Sequence, residues 1–131
     1  MLVKDSKGFY MLNKKASMGY LNFLKTSNLV SAKYIVYWKK YFDDKAIMLK
    51  KEKIKSDIPE GFDFDFVLIT QEPEIILNRI DSLQLNTLSI TDSKAVIGVK
   101  LLSDLSVDYE FEMDKTSQGW QVSYIATQNY D

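Results

Sequence analysis

Val107-Asp108-Tyr109-Glu110-Phe111-Glu112-Met113-Asp114 alternates apolar and acidic residues without a break. Side chains alternate faces along a strand, so Val107, Tyr109, Phe111 and Met113 line one face, and Asp108, Glu110, Glu112 and Asp114 line the other. The first face is core, and the second meets water or a partner. The preceding run, Lys94-Ala95-Val96-Ile97-Gly98-Val99-Lys100, fixes a register against it. Setting Lys100 opposite Asp108 and Lys94 opposite Asp114 also sets Val99 beside Tyr109 and Ile97 beside Phe111, with Ser103-Asp104-Leu105 as the connection. A shift by one residue drives the lysines among the aromatics, which is worse on both faces. In this register no lysine of the hairpin stands opposite Glu110 or Glu112.

Outward from the hairpin, the pattern predicts four strands at about 82–90, 94–102, 106–114 and 119–127, joined as an antiparallel meander. Leu83 and Leu85 share one phase while Leu88 and Ile90 share the other, so a β-bulge is expected at Asn86-Thr87. In the last strand, Trp120, Val122, Tyr124 and Ala126 are assigned to the same core.

The upstream half reads as helices. Ser6 is expected to cap one that runs to about Thr26, with Phe9, Leu12, Ala16, Tyr20 and Phe23 on its apolar face. Ser27-Asn28 then breaks the chain and caps a second, where Val30, Tyr34, Tyr37, Trp38, Tyr41 and Phe42 form one stripe opposite Lys33, Lys39 and Lys40. Asp43-Asp44 is expected to end it and to cap a third helix from Lys45 to about Lys55, whose lysines suit the negative end of the helix dipole. Ser56 to Gly61 is a turn, and Phe62 to Thr70 is a strand or an extended loop that plugs the core. Glu72-Pro73-Glu74 opens a helical turn through Arg79, since proline is tolerated at a first helical position. The expectation is one α+β domain over residues 1–131, with helices at about 6–55 and a curved antiparallel sheet at about 62–127. The helices pack on its concave face, with Trp120, Phe111, Tyr109, Trp38 and Tyr41 in one core.

Histidine and cysteine are both absent. Their absence removes disulfides, thiolate metal sites, the commonest general base and the commonest metal ligand. The apolar runs are too short to span a membrane, and no charged-then-apolar leader opens the chain. Charge is segregated: residues 1–55 hold 13 lysines against 4 acids, a balance of +9, and residues 56–131 hold 4 basic residues against 14 acids, a balance of −10. A nucleic-acid partner is not expected, because one arginine alone is available to fork onto phosphates or bases.

Helices followed by a bent meander that closes in Gly119-Trp120-Gln121-Val122-Ser123-Tyr124-Ile125 resemble the nuclear-transport-factor-2-like (cystatin-like) superfamily. Asp63-Phe64-Asp65 with Gln71 downstream, and then Lys94 to Val99, are similar to an uncharacterised bacterial exported group within it. The resemblance covers roughly residues 30–127 and implies a cone of helices on a curved sheet. It also implies an exported or periplasmic location, while a native start at Met1 implies a cytoplasmic one. Members of the superfamily include isomerases, dehydratases, secretion-system subunits, transport factors and toxin-neutralising immunity proteins, so fold alone does not choose among them.

Chemistry in such a cone would fall to carboxylates and tyrosines. An isomerase-like site needs an aspartate base and a tyrosine donor in an apolar pocket, and Tyr34, Tyr37, Trp38, Tyr41, Asp63, Asp65 and Trp120 are the residues that could line one. The ordinary alternative is that these tyrosines are simply the helix stripe facing the sheet. Asp63 and Asp65 lack the spaced oxygen ligands and glycine of a calcium loop, and neither a metal nor a cofactor is expected. The row Asp108, Glu110, Glu112 and Asp114 is either the solvated face of a half-buried sheet or a patch that engages a basic protein. The function expected is a non-catalytic protein-binding domain, in its most specific form an immunity protein that neutralises a toxin through that acidic surface. A small-molecule or carboxylate/tyrosine enzyme site in the cone and a structural subunit of an envelope secretion system are the alternatives, and a homodimer stays open.

Overall fold

The structure, a computed structural model, describes residues 1–101 and 107–129. Its element order is β1 (Leu2–Lys4), β2 (Tyr10–Leu12), α1 (Lys14–Thr26), α2 (Ala32–Glu52), α3 (Pro73–Leu77), a 3₁₀ turn (Ile80–Ser82), β3 (Leu83–Ile90), β4 (Lys94–Leu101), β5 (Val107–Thr116) and β6 (Gly119–Asn129). The architecture is α+β. The last four strands form an antiparallel sheet in the order β3-β4-β5-β6, and β1 pairs with β2 in a separate hairpin. The larger sheet is not strongly curled.

The register expected for β4 and β5 is the one found, with Lys94 opposite Asp114, Ile97 opposite Phe111, Val99 opposite Tyr109 and Lys100 opposite Asp108. The expected connection Ser103-Asp104-Leu105 lies outside the described residues. A bulge interrupts β3 between Thr87 and Ser89, one residue beyond its expected place.

The N-terminal reading needs correction. Residues 6–12 belong to no helix: Asp5 and Gly8 make the tight turn of a hairpin. The Asp5 carboxylate accepts from the amides of Lys7 and Phe9 at 2.9 and 3.0 Å, and Gly8 turns the chain at φ +86°, a conformation that suits a residue without Cβ. The helix starts where Asn13 accepts from the Ala16 amide at 3.1 Å as its cap. Phe23, assigned to the apolar face, is 69% exposed, and the helix buries Ser17 and Leu24 instead.

The second helix begins later and runs further than expected. Its cap is Ser31, not Ser27 or Asn28. Val30 precedes it and bridges to Val122 of β6. Asp43 and Asp44 do not end it. They pair with Lys39 and Lys40 one turn earlier, at 2.7 and 2.6 Å, while the buried stripe Tyr34, Trp38, Phe42 continues to Leu49, which is 1% exposed. Burying Leu49 is worth about 1.5–3 kcal/mol, more than a cap of about 1 kcal/mol could offer for stopping early.

The core joins α1, α2, α3 and the sheet through Leu24, Tyr34, Trp38, Phe42, Leu49, Ile76, Val99, Tyr109 and Ile125. Tyr41 and Phe111 pack against it, half-buried. Trp120, expected at its centre, is 39% exposed and lies beside Lys115 at the end of the sheet. It is exposed because it sits at the last pairs of the hairpin, opposite Lys115, while a second bulge re-aims Tyr124 and Ala126 onto the face of Glu112 and Glu110. The β5–β6 register shifts so that Glu112 faces Tyr124 but Met113 faces Val122, and the buried residues of β6 become Gln121, Ser123 and Ile125. Tyr124 is exposed with Trp120. Among the described residues, no helix is long and apolar enough to cross a membrane.

Candidate functional site

Phe62 to Thr70 forms turns closed by one bridge between Asp65 and Thr70, so of the two readings for this segment the plugging loop is the one found. The Asp65 carboxylate holds its tip by accepting from the amides of Val67 and Leu68 at 3.0 and 2.8 Å. That turn drives Phe66 inward. Its ring lies 5.3–6.4 Å from those of Tyr20, Trp38, Tyr41, Phe42, Phe62 and Phe64. The loop is tied to the sheet by Tyr109, whose hydroxyl donates to the Leu68 carbonyl, and to α2 by Tyr41, whose hydroxyl donates to the Gly61 carbonyl at 2.5 Å.

Beside this cluster remains a cleft of about 240 Å³, lined by Tyr34, Tyr37, Trp38 and Tyr41 with Phe64, Phe66 and the outer half of β6. Four of the seven residues expected in a pocket therefore come together. Asp63, Asp65 and Trp120 do not line it. The Asp63 carboxylate accepts from the Gln71 side chain at 2.9 Å, and Asp65 is occupied by its own loop. Burial pushes the hydroxyls of Tyr20, Tyr34, Tyr37, Tyr41 and Tyr109 above the ordinary tyrosine value. These groups therefore stay protonated at neutral pH and act as donors. Among the described residues, no three side chains of the metal-ligating kinds converge to hold an ion.

The acidic strand face is less uniform than its sequence. Asp114 accepts from the Ser123 hydroxyl at 2.5 Å and meets the Lys94 ammonium at 3.4 Å. Ser123 in turn shares a hydrogen bond of 2.7 Å with Ser31, the cap of α2. These contacts tie the sheet to the helix start and remove Asp114 from the set of available acids. Glu112 is exposed and Glu110 half-buried. The side chain of Asp108 lies outside the described residues.

The Ser123 hydrogen bond, then Lys94 and Lys33, hold Asp114 below the ordinary aspartate value of 3.8. A group with a depressed folded-state pKa stabilises the fold above its unfolded value, and that contribution is lost as pH falls through the folded one. Carboxyl-carbon NMR titration should therefore place the Asp114 midpoint below 3.8, and Ser123→Ala should move it up. An unchanged midpoint in the variant would remove Ser123 as the main cause.

Sequence reading missed Ser31, Ser123 and Gln121, all buried polar residues. Gln121 donates to the Asn28 carbonyl at 2.9 Å and accepts from Thr116 at 3.0 Å. A serine directly ahead of the Tyr34–Trp38–Phe42 stripe was the available signal for the cap. Nothing in the sequence marks its partner 92 residues away. No family model, curated protein or solved structure matches this chain.

Proposed function

We propose that the chain is a non-catalytic protein-binding domain of nuclear-transport-factor-2-like build, and that it recognises a partner with a basic surface. The observation that carries this reading is the filled interior: Phe66 occupies the space between loop and helix where a ligand cone would open. The cleft beside that ring, about 240 Å³, falls below the usual range of about 300–1,000 Å³ for small-molecule sites. The two larger hollows, of about 440 and 470 Å³, lie along α1 and at its C-terminal end, away from the tyrosines and aspartates of the expected pocket. An isomerase-like mechanism would need an aspartate aimed at a tyrosine across that cleft, and both candidate aspartates are engaged outside it. Recognition then falls to the surface, where the charge of residues 56–131 presents Glu112 on an open strand face. An immunity protein that neutralises a basic toxin is the most specific form of the proposal.

The test uses wild type and Glu112→Lys as baits in extracts of the native host, followed by kinetics with the purified partner. Wild type should recover a basic protein at low salt and lose it at high salt. Glu112→Lys should slow association about tenfold at low ionic strength and flatten its salt dependence. Folding should be unaffected, because exposed positions change stability by about 0.5 kcal/mol. Equal association rates for the two baits would leave the acidic row as a solvated sheet face. Recovery of a bound metabolite with no protein partner would reverse the proposal.

A further inference from the structure

Tyr37 and Tyr124 line the cleft between α2 and β6 and stay largely in water, 47% and 37% exposed. Their ring centroids are 5.4 Å apart at 78°, and Tyr37 meets Trp38 at 5.4 Å and 86°. Rings set nearly at right angles form a corner, and their faces carry the negative side of the aromatic quadrupole. Such a corner attracts a cation. The same cluster already holds one elsewhere, where the Lys45 ammonium lies 5.5 Å from the Tyr41 ring.

Among the described residues, no charged side chain lines the cleft itself, but carboxylates lie within electrostatic reach. Burial comes first in holding the Tyr41 and Tyr34 protons, and Asp63 and Glu60 add to it at Tyr41, Asp65 at Tyr34. The β5–β6 register sets Glu112 opposite Tyr124, so the two side chains share a face. Lys33 and Lys94 share a separate hollow with Glu112 and Asp114, and neither lines the cleft. The local field therefore favours a positive guest. Volume sets its kind: about 240 Å³ is small for a metabolite and takes the end of one long side chain.

We propose that this cleft is the anchor pocket for an arginine of the basic partner, its guanidinium stacked on Tyr37 and Tyr124 and its stem laid on Phe64 and Ile69. The assignment rests on the protein-binding reading above. Arginine fits better than lysine, because a planar guanidinium stacks on a ring face and is less strongly hydrated than an ammonium. An apolar guest would bury the same rings but leave the carboxylates without a counterpart. An arginine seated between aromatic rings is the type of residue that carries most of an interface's energy, while Glu112 on the open strand face steers the approach.

The probe is N-acetyl-arginine amide, with N-acetyl-citrulline amide as its neutral isostere. Titrated into the full chain with isotope-labelled tyrosines, capped arginine should shift the Tyr37 and Tyr124 ring resonances with half-saturation at about 5 mM. Capped citrulline should bind about tenfold more weakly, since it keeps the shape and loses the cation. Tyr124→Leu keeps apolar bulk without a ring face and should abolish the shift at Tyr37, whereas Tyr124→Phe should preserve it. With the purified partner, Tyr124→Leu should speed dissociation about tenfold and leave association near the wild-type rate. Equal binding of the arginine and citrulline probes overturns the proposal. So does an absence of shifts at about 50 mM, or a captured basic partner that leaves Tyr124→Leu no faster than wild type. Binding of capped arginine with no protein captured from the host would keep the cation site and overturn only the protein-binding reading.

Discussion

Trp38→Ala should lower stability by about 3–5 kcal/mol, while Trp120→Ala should lower it by about 1 kcal/mol or less. Trp38 is 5% exposed, and its ring lies 5.0–6.4 Å from those of Tyr34, Tyr37, Tyr41, Phe42 and Phe66. Removing it leaves a cavity between α2 and the aromatic loop that rigid neighbours on both sides cannot close. Trp120 has water on one side and the Lys115 ammonium 6.0 Å from its ring on another. Its removal costs partial burial and a weak cation–π contact. Urea unfolding followed by far-UV circular dichroism measures both variants. Equal losses would mean that Trp120 packs inside after all.

The two tryptophans mark what could be read from the sequence and what could not. The β4–β5 register was legible because two independent signals, lysine against aspartate and aliphatic against aromatic, select one alignment. The Tyr34–Trp38–Phe42 stripe was legible because it repeats at helical spacing over a whole element. Tyr124 and Ala126 were misread because strand alternation was carried past a bulge, and Trp120 because its place at the end of the hairpin leaves it exposed. At the bulge the Asn28–Ser31 segment lies along β6. The Val122 amide donates to the Leu29 carbonyl and the Ser31 amide to the Val122 carbonyl, both at 2.9 Å. That pairing joins residues about ninety positions apart, and no local pattern encodes it. Residues 6–12 fit a helical period as well as a strand one, and the choice lay with the turn chemistry of Asp5 and Gly8. Asp43-Asp44 had the composition of a cap, but the apolar stripe beyond it outweighed that preference. Of the candidate site, the helix tyrosines were legible as a group. The engagement of Asp63, Asp65 and Asp114 was not, because a carboxylate in sequence carries no sign of what it accepts from.

Gly61→Ala should cost about 2–4 kcal/mol, and more of that loss should fall on the aromatic loop than on the sheet. Gly61 sits at φ +93°, and a Cβ there would lie 2.5 Å from the Tyr41 hydroxyl and 2.7 Å from Cε of Lys45. An L-residue in that region costs about 1–3 kcal/mol. The Lys45 end can swing aside, but the Tyr41 hydroxyl cannot move without giving up its hydrogen bond to the Gly61 carbonyl, worth about 1 kcal/mol. Tyr41→Phe separates the two contributions, since it deletes the bond and spares the backbone. It should cost about 1 kcal/mol. The loop that follows carries Phe62, Phe64 and Phe66, so loosening its anchor frees the rings that fill the interior. Limited proteolysis should therefore cut Gly61→Ala between residues 62 and 70 before the sheet unfolds, and a dye that fluoresces on apolar surfaces should bind it and not the wild type. If Gly61→Ala melts with the wild type and resists cleavage, the Tyr41–Gly61 contact does not hold the loop. The filled interior would then rest on Asp65 and Tyr109 alone.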